Sequence, residues 1–384
     1  MVEPENAGRI SSYLEGALDG RSAGAVHSCF QTSFNFTLGE RLIHAGPPSR
    51  PLCCFGMELP EAWIRDMLAG IAPGDLACCR DGRIVLYGRH GIFTIHTDLM
   101  EIVDLQAETI FDTKPRAEYR PAAIRDSALW QLLENQDLED CLGIRRDARF
   151  EACCRILEEY AFRGTAAECA AGGGQDAVDE HTARDGQSVA VKHDARDDRD
   201  ATDEHDAEGR WDAADEHDAE DRQGAAAKHS ADGGQSAADE HSARYRRDSS
   251  ALKKAVSWLI GRGRGLTPSG DDILLGYGAG LLALDPSGAG QRFLDILESC
   301  LHGQTTDISL AYCKGLVAGY VNENMKLLLR GFWNNDRENT GRWLASVREL
   351  GHTSGCDTLF GLGLAAAGRI KNEKWRGKRY ESSL

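Results

Sequence analysis

A glycine-rich turn, GRGRGLTPSGDDILLGYGAG at residues 261–280, carries the side chains best suited to chemistry. Three glycines in its first five positions suggest a backbone that comes close to a ligand, with several N–H groups free to point at one anion or carbonyl. Hydroxyl groups and the positive end of the following helix dipole add donors to the same site. We therefore predict a substrate-binding turn formed by Gly263, Gly265, Thr267, Ser269 and Gly270.

Two aspartates, Asp271 and Asp272, close this turn. A carboxylate beside a bound phosphate repels it unless a cation or a protonated donor intervenes, and no lysine follows as it does in a Walker loop. Either aspartate is able to cap the helix, to accept hydrogen bonds from an amide or amine, or to hold a divalent ion with the substrate. We expect one to cap the helix and the other to contact substrate or a cation such as Mg²⁺, and a turn that only joins two helices is the alternative. No other cofactor and no metal-ligand cluster is indicated.

A second turn, GHTSGCDTLFGLGLAA at residues 351–366, repeats part of this pattern. Aligned on Ser269 and Ser354, the two segments share Ser, Gly, Asp, Leu and two further Gly at the same offsets. Glycines on the following turns let two helices approach closely, so that both helix starts would face one pocket. The second turn is predicted to bind substrate through Thr353, Ser354 and Gly355.

Four residues of the two turns are candidates for catalysis: Asp271, Asp272, His352 and Asp357. The imidazole pKa lies nearest neutrality and suits His352 to carry a proton, although capping or packing is the commoner role of such a histidine. A third hydroxyl-rich helix start, TTDIS at residues 305–309, is predicted to provide an N-cap, with a place in the same site as the alternative. We find no Ser-His-Asp or Cys-His arrangement, because no nucleophile lies on a strand-to-helix elbow.

The composition is that of a globular protein with one unusual segment. The 384 residues carry a net charge of −17, of which residues 167–250 supply −13 through 23 acidic and 10 basic residues. The remaining residues are nearly balanced and show no basic stripe, which argues against binding to nucleic acid or to an anionic membrane surface.

Cysteine usage and apolar runs indicate the compartment. Twelve cysteines include no CxxC pair, and MVEPENAGRISSYLEG at the start has no signal-peptide core. The longest apolar stretches, such as ILLGYGAGLLAL, are too short to span a bilayer. We expect a cytoplasmic protein with reduced and mostly buried thiols.

The hydrophobic periodicity predicts an α+β fold. A mostly antiparallel β domain is expected at residues 1–118, from AVHSCFQTSFNFTL, RLIHAG, LCCFGM, DLACCR, RIVLYG and GIFTIHT, with one helix in LPEAWIRDMLAGIAP. A helical bundle is expected at 119–166 and 251–384, where TDISLAYCKGLVAGYVNENMKLLLRGFW forms the longest helical run. Glycines four apart, Gly276 with Gly280 and Gly315 with Gly319, favour helices packed backbone to backbone.

Residues 167–250 form a low-complexity insert built on a twelve-residue repeat. Six of the twelve histidines recur there at intervals of twelve: His181, His193, His205, His217, His229 and His241. On a helix this interval advances about 120° beyond whole turns, so the histidines would not line one face. With almost no large apolar residues, the insert is predicted to be disordered and to interrupt the helical domain, and a metal-sequestering segment is the alternative.

The strings GRGRGLTPSGDDILLG, TTDISLAYCKG and LGHTSGCDTLFG together resemble an uncharacterised-domain family that includes the AllH-type subunit of oxamate carbamoyltransferase. The likeness extends over residues 1–166 and 251–384, and the repeat is additional to the family pattern. The family's more usual GLGPGLTPSGDD is replaced by GRGRGLTPSGDD, which adds Arg262 and Arg264.

This resemblance implies a role in anaerobic allantoin and purine catabolism, where oxalurate and phosphate give oxamate and carbamoyl phosphate. It also implies two partner subunits, one of them similar to acyl-CoA synthetases. The ligand would be a small anion, either carbamoyl phosphate, oxamate or oxalurate. A non-catalytic assembly or regulatory subunit that binds a small anion is the alternative function.

Overall fold

The strands expected before residue 118 form one nine-stranded sheet in the computed structural model, which describes residues 8–18, 20–107, 121–171, 237–285, 288–301 and 303–370. The strands are β1 Arg9–Ser11, β2 Arg21–Cys29, β3 Phe34–Leu38, β4 Arg41–Gly46, β5 Gly56–Glu58, β6 Leu76–Arg80, β7 Arg83–Gly88, β8 Gly91–His96 and β9 Glu101–Val103. Their order across the sheet is β8-β7-β6-β2-β3-β4-β5-β1-β9.

The sheet is mostly antiparallel, as predicted. The pairs β4 with β5 and β1 with β9 are parallel, and the other neighbours are antiparallel. One predicted strand is wrong in part, because Cys53 and Cys54 of LCCFGM lie before β5, in a turn where the Gly56 N–H bonds to the Cys53 carbonyl. An apolar run of this length does not by itself distinguish a buried strand from a buried turn.

The helices follow the predicted periodicity: α1 Glu15–Leu18, α2 Glu61–Gly70, α3 Pro121–Asp126, α4 Ala128–Leu133, α5 Ala148–Ala171, α6 Ala237–Leu259, α7 Ser269–Leu284, α8 Ala289–Cys300, α9 Asp307–Val317, α10 Glu323–Leu329, α11 Arg337–Arg348 and α12 Ser354–Ile370. Short 3-10 turns occupy Ser12–Leu14, Thr97–Leu99, Glu139–Cys141 and Arg330–Phe332. The α+β class is therefore confirmed.

The long helical run predicted over residues 306–333 is wrong, because it divides into α9 and α10. Gly319 has a φ of +87°, which ends α9 and turns the chain away. The next residue, Tyr320, pairs with Gln106 in an isolated bridge, and Val321 donates its N–H to the Leu105 carbonyl. Residues 105 and 106, which follow β9, thus pair with the backbone of residues 320 and 321, and α9 does not continue through them.

Two groups of buried side chains form the core. One joins the helices from Ile124 to Ile370, and the other fills the space between the sheet, α2 and part of α9. The described parts of residues 1–173 and 241–384 belong to one compact unit. The predicted boundaries, 1–118 for a β domain with 119–166 and 251–384 for a helical domain, remain a prediction.

The predicted insert at 167–250 lies mostly outside the described residues. Helix α5 runs to Ala171 and α6 begins at Ala237, so both helices extend into the predicted insert. The structure describes the side chains of eleven cysteines, of which eight are buried and all are free thiols, as expected for core residues. None of the helices that the structure describes has the length and apolar character needed to cross a bilayer.

Candidate functional site between two glycine-rich turns

The glycines of the first turn are needed for its backbone shape. Gly261, Gly263 and Gly265 have φ values of 72°, 114° and 114°, a region that side chains with a Cβ rarely adopt. A Cβ at Gly261 would lie 2.0 Å from the Gln304 carbonyl oxygen. The loop therefore folds back between α6 and α7 and packs against the segment that leads into α9.

Helices α7 and α12 pack backbone to backbone through glycines that the sequence alignment pairs. A Cβ on Gly276 would lie 1.8 Å from the Thr358 carbonyl oxygen, and one on Gly361 would lie 1.9 Å from the Ile273 carbonyl oxygen. Since Ile273 and Thr358 are also paired in the alignment, the two contacts are related by an approximate two-fold axis. The predicted close packing is confirmed for Gly276, whereas Gly315 packs against the Cys54 thiol instead of a helix.

The two helix starts meet, as the sequence predicted. The hydroxyls of Thr267 and Ser354 are hydrogen-bonded at 2.9 Å, and further along a Cβ on Gly280 would lie 2.8 Å from the Ala365 Cβ. Contacts therefore advance in the same direction along α7 and α12. The helices are parallel, and their positive dipole ends lie together.

Asp271 stabilises the first turn through hydrogen bonds that its buried side chain accepts. Its side chain is fully buried and accepts hydrogen bonds from the Gly261 N–H at 2.7 Å, the Ser309 hydroxyl at 2.6 Å and the Thr305 hydroxyl. The prediction that one aspartate caps the helix is wrong, because α7 follows Pro268 and no side chain caps its first turn. The carboxylate instead joins the glycine loop to the start of α9.

The third hydroxyl-rich start behaves as an N-cap. The Thr306 hydroxyl accepts a hydrogen bond from the Ser309 N–H at 3.1 Å, which confirms the predicted cap of α9. The same hydroxyl donates to the Leu266 carbonyl. The TTDIS segment thus holds the glycine loop in place through hydrogen bonds to Leu266 and Asp271.

Asp272 has a different environment from its neighbour. It is 4% exposed, and its Oδ2 has no hydrogen-bonding partner among the described residues. Burial raises the pKa of Asp272 well above its usual value, and the carboxylates of Asp357 and Asp271 raise it further, against hydrogen bonding from Ser354 and Thr267. This carboxyl group is therefore biased towards its protonated form.

Asp357 is the counterpart of Asp272 in the second turn; its Oδ2 also has no hydrogen-bonding partner among the described residues, but its other oxygen is bonded to the backbone. Its Oδ1 accepts a hydrogen bond from the Gly143 N–H at 3.0 Å, in the loop between the 3-10 turn Glu139–Cys141 and α5. Burial raises the pKa of Asp357, against hydrogen bonding from Gly143, Ser269 and Thr353. Each serine thus lies beside the aspartate of the other turn, as expected around a two-fold axis.

A cavity of about 470 Å³ opens on the Asp272 side of the paired turns. Its walls include residues of both turns: Arg264, Gly265, Thr267, Asp272, His352, Thr353 and Ser354. The remaining wall is mainly apolar and is supplied by Leu275, Ile308, Tyr312, Leu316, Met325 and Val347, among others. A mainly apolar pocket with a few convergent polar groups is the usual form of a small-molecule site.

The other predicted site residues do not line this cavity: Gly263, Ser269, Gly270, Asp271, Gly355 and Asp357. These residues lie behind the cavity wall, and two of the glycines pack against the ends of neighbouring helices. A Cβ on Gly270 would lie 1.9 Å from the Leu259 carbonyl oxygen, and one on Gly355 would lie 2.2 Å from that of Val347. These glycines let α6 and α11 end directly against the two turns.

The first turn also offers unused backbone donors. The N–H groups of residues 263–267 donate to no other described residue, and four of these five residues border the cavity. Unbonded consecutive N–H groups are suited to an anion or a carbonyl oxygen. Arg264 and His352, both exposed at the cavity, add a cation and an imidazole.

The residues present do not form a preformed metal centre. Within the described ranges, no group of three or more His, Cys, Asp or Glu side chains could hold a metal ion. The carboxylate of Asp271 is occupied by its three donors. A divalent ion here would therefore need oxygen ligands from the substrate or from water in addition to Asp272.

Several residues of the site lie outside the two turns and were not predicted from the sequence. They are Gly143 and the cavity residues Tyr312, Asn322 and Asn324. A single glycine in CLGIRR and two asparagines in VNENM carry no motif. The repeated Ser-Gly-x-Asp pattern predicted only that the two helix starts pair. It did not indicate which other segments of the chain would pack against each helix start.

The fold and the site together define an α+β protein in which two repeated helix starts border one cavity. Residues 259–366, which hold both turns, match the family model described as oxamate carbamoyltransferase subunit AllH. The match supports the AllH-type family assignment made from those turns. Searches of curated proteins and of solved structures gave no match.

Proposed function

We propose that this chain is a subunit of an oxamate carbamoyltransferase complex, and that the cavity beside Asp272 binds the carbamoyl-bearing substrate. The reaction proposed is the conversion of oxalurate and phosphate to oxamate and carbamoyl phosphate, in allantoin and purine catabolism. The observation that carries the proposal is Asp272, a buried carboxyl group with an unpartnered oxygen on a cavity bordered by both family turns.

In this reaction the bond between the carbamoyl carbon and the oxamate nitrogen breaks, and a bond from that carbon to a phosphate oxygen forms. The nitrogen that leaves takes up one proton. The hydroxyls of Thr267 and Ser354 stabilise the charge that develops on the carbamoyl oxygen. No covalent intermediate with the protein is needed.

Asp272 and His352 are the candidates for moving the proton. The raised pKa of Asp272 increases the fraction of protonated carboxyl near neutral pH, from which a proton can pass to the leaving nitrogen. Protonation also removes the repulsion that a carboxylate would exert on phosphate. His352 stands exposed at the cavity and is placed to exchange that proton with solvent.

Phosphate binding is assigned to the first turn. Arg264 and the unbonded N–H groups of residues 263–267 supply positive charge and donors for phosphate oxygens. A divalent cation such as Mg²⁺ is a further proposal, bridging Asp272 and the substrate. Activity that survives removal of divalent ions with a chelator would exclude that cation.

The test is phosphate-dependent formation of carbamoyl phosphate from oxalurate, measured with this chain alone and with the products of its neighbouring genes. We expect turnover only in the reconstituted complex. Asp272→Asn should lower it by about 10²–10³-fold, the usual cost of removing one group that stabilises the transition state. Asp295→Asn, an exposed substitution on α8, is the matched control and should leave turnover unchanged.

The alternative is a non-catalytic assembly or regulatory subunit that binds a small anion in the same cavity. Turnover by the partner subunits without this chain, or full turnover with Asp272→Asn in the complex, would contradict the catalytic role and favour this alternative.

A further inference from the structure

The two halves of the paired turns surround each aspartate with the same kinds of group, although the alignment pairs only the serines and the aspartates, and Thr267 and Thr353 are one position apart in it. Asp272 has Thr267 beside it and Ser354 from the other turn, and Asp357 has Thr353 beside it and Ser269 from the other turn. The reciprocal glycine contacts of α7 and α12 show that this equivalence extends along the backbone. What one half binds is therefore a guide to what the other half is shaped to bind.

The Asp357 half is filled by a peptide group of the chain. The Gly143 N–H donates to Asp357, and Gly143 lies so close to the two hydroxyls that a Cβ there would be 2.2 Å from Ser269 Oγ and 2.4 Å from Thr353 Oγ1. The occupant is thus an amide N–H with a small flanking carbon, held between one carboxylate and two hydroxyls.

The equivalent position in the Asp272 half is open. Asp272, Thr267 and Ser354 all line the cavity, and no backbone N–H of a described residue donates to Asp272. Asp272 therefore lacks the one donor that its counterpart has. A carboxyl group that is 4% exposed gains most from a ligand that supplies such a donor.

We propose that the Asp272 half binds the N–H of a small amide or ureido group, in the way that the Asp357 half binds the Gly143 peptide. This inference rests on the proposed function and adds which end of the substrate the site recognises. Asp272, with Thr267 and Ser354, selects a carbamoyl or amide group over a carboxylate of the same shape. A ligand carboxylate in this position has no N–H to donate to the unpartnered oxygen of Asp272, which would stay unsatisfied in a buried site.

Oxamate and oxalate provide the test, because they are alike in shape and differ by an amide N–H₂ in place of a carboxylate oxygen, and by the one negative charge that this oxygen carries. Their affinities for the full-length chain are measured by calorimetry, alone and within the complex. We expect oxamate to bind about ten-fold or more tightly than oxalate, the effect of one buried hydrogen bond to a charged or polar partner. Asp272→Asn, which keeps the shape, should remove most of this preference, and Asp295→Asn should keep it.

A second variant, Ser354→Ala, keeps the test informative if Asp272→Asn does not fold. Ser354→Ala should weaken oxamate binding and reduce the preference less than Asp272→Asn does. Equal affinity of the wild-type chain for both acids, no oxamate binding alone or in the complex, or an unchanged preference in Asp272→Asn would overturn the inference.

These outcomes are separable from failure of the proposed function. Turnover of oxalurate by the complex with no Asp272-dependent preference would reject the amide site and leave the function standing. An Asp272-dependent preference without any turnover would reject the function and leave the amide site standing.

Discussion

The two turns are built alike and are used differently. On the Asp357 side, the loop containing Gly143 fills the space between the aspartate and the hydroxyls. On the Asp272 side, the same set of groups borders an open cavity. A repeated sequence pattern therefore predicts that two helix starts pair, but the segments packed around each start decide which one can receive a ligand.

A second difference between the turns lies one residue earlier. Asp271 aligns with Cys356, and only the carboxylate binds a separate loop and the start of α9. The longer first turn, with its three left-handed glycines, requires this internal anchor. The shorter second turn has one such glycine, Gly351, and holds its shape through the Gly355 N–H bond to the Leu350 carbonyl.

The largest effect on stability is expected from removing that anchor. Asp271→Ala leaves the donors of Gly261, Thr305 and Ser309 without their acceptor in a buried site, at a cost of at least about 3 kcal/mol. Urea unfolding measures the change. The aligned variant Cys356→Ala removes only a buried thiol and should cost ~1 kcal/mol. Equal losses for the two variants would contradict the difference between the turns.

Substituting the contact glycine of α7 or that of α12 should destabilise the fold by a similar amount. Gly276→Ala and Gly361→Ala each place a methyl group against a backbone carbonyl that cannot move aside, and each should lower the free energy of unfolding by about 1–3 kcal/mol or more. Gly16→Ala on α1, where a Cβ meets open space, is the control and should be neutral or slightly stabilising. A large loss for one helix alone would argue against the two-fold relation.

The smallest effects concern pH. A carboxyl whose pKa is higher in the folded than in the unfolded protein stabilises the fold when protonated, and this contribution is lost as pH rises from ~3.9 through the folded pKa. The pKa is raised for both Asp272 and Asp357. Asp272→Asn should therefore gain stability relative to the wild type as pH rises, and Asp357→Asn should gain less because Gly143 favours its charged form.

Urea unfolding of both variants between about pH 4 and pH 8 checks this expectation. An inactive Asp272→Asn that is more stable than the wild type at neutral pH would mark Asp272 as a functional and not a structural group. A stability difference that falls with pH would contradict the raised pKa.

Much of the fold was predictable because alternation and helical periodicity report directly on which side chains are buried. The strands from Arg41 to His96 and the helices α7 and α12 followed from these patterns. The break at Gly319 did not, because a glycine within an apolar helical run is compatible with either close packing or a left-handed end. Cys53 and Cys54 were mistaken for strand residues since a buried turn has the same composition.

The candidate site was predictable only in outline. Aligned offsets of Ser, Gly and Asp required the two helix starts to be alike, and their glycines indicated contact. Whether Asp271 or Asp272 contacts a ligand depends on which carboxylate finds internal donors, and those come from Thr305 and Ser309, over thirty positions away. The role of Gly143 depends on tertiary packing alone, because a peptide N–H is present at almost every residue.

The central claim is that the Asp272 half binds an amide as the Asp357 half binds the Gly143 peptide. Its most direct test is a crystal structure of the chain, or of its complex, with oxamate bound. We expect the oxamate nitrogen to lie about 3 Å from the Asp272 carboxyl group, between the hydroxyls of Thr267 and Ser354. Oxamate bound with its carboxylate against Asp272, or bound outside this cavity, would contradict it.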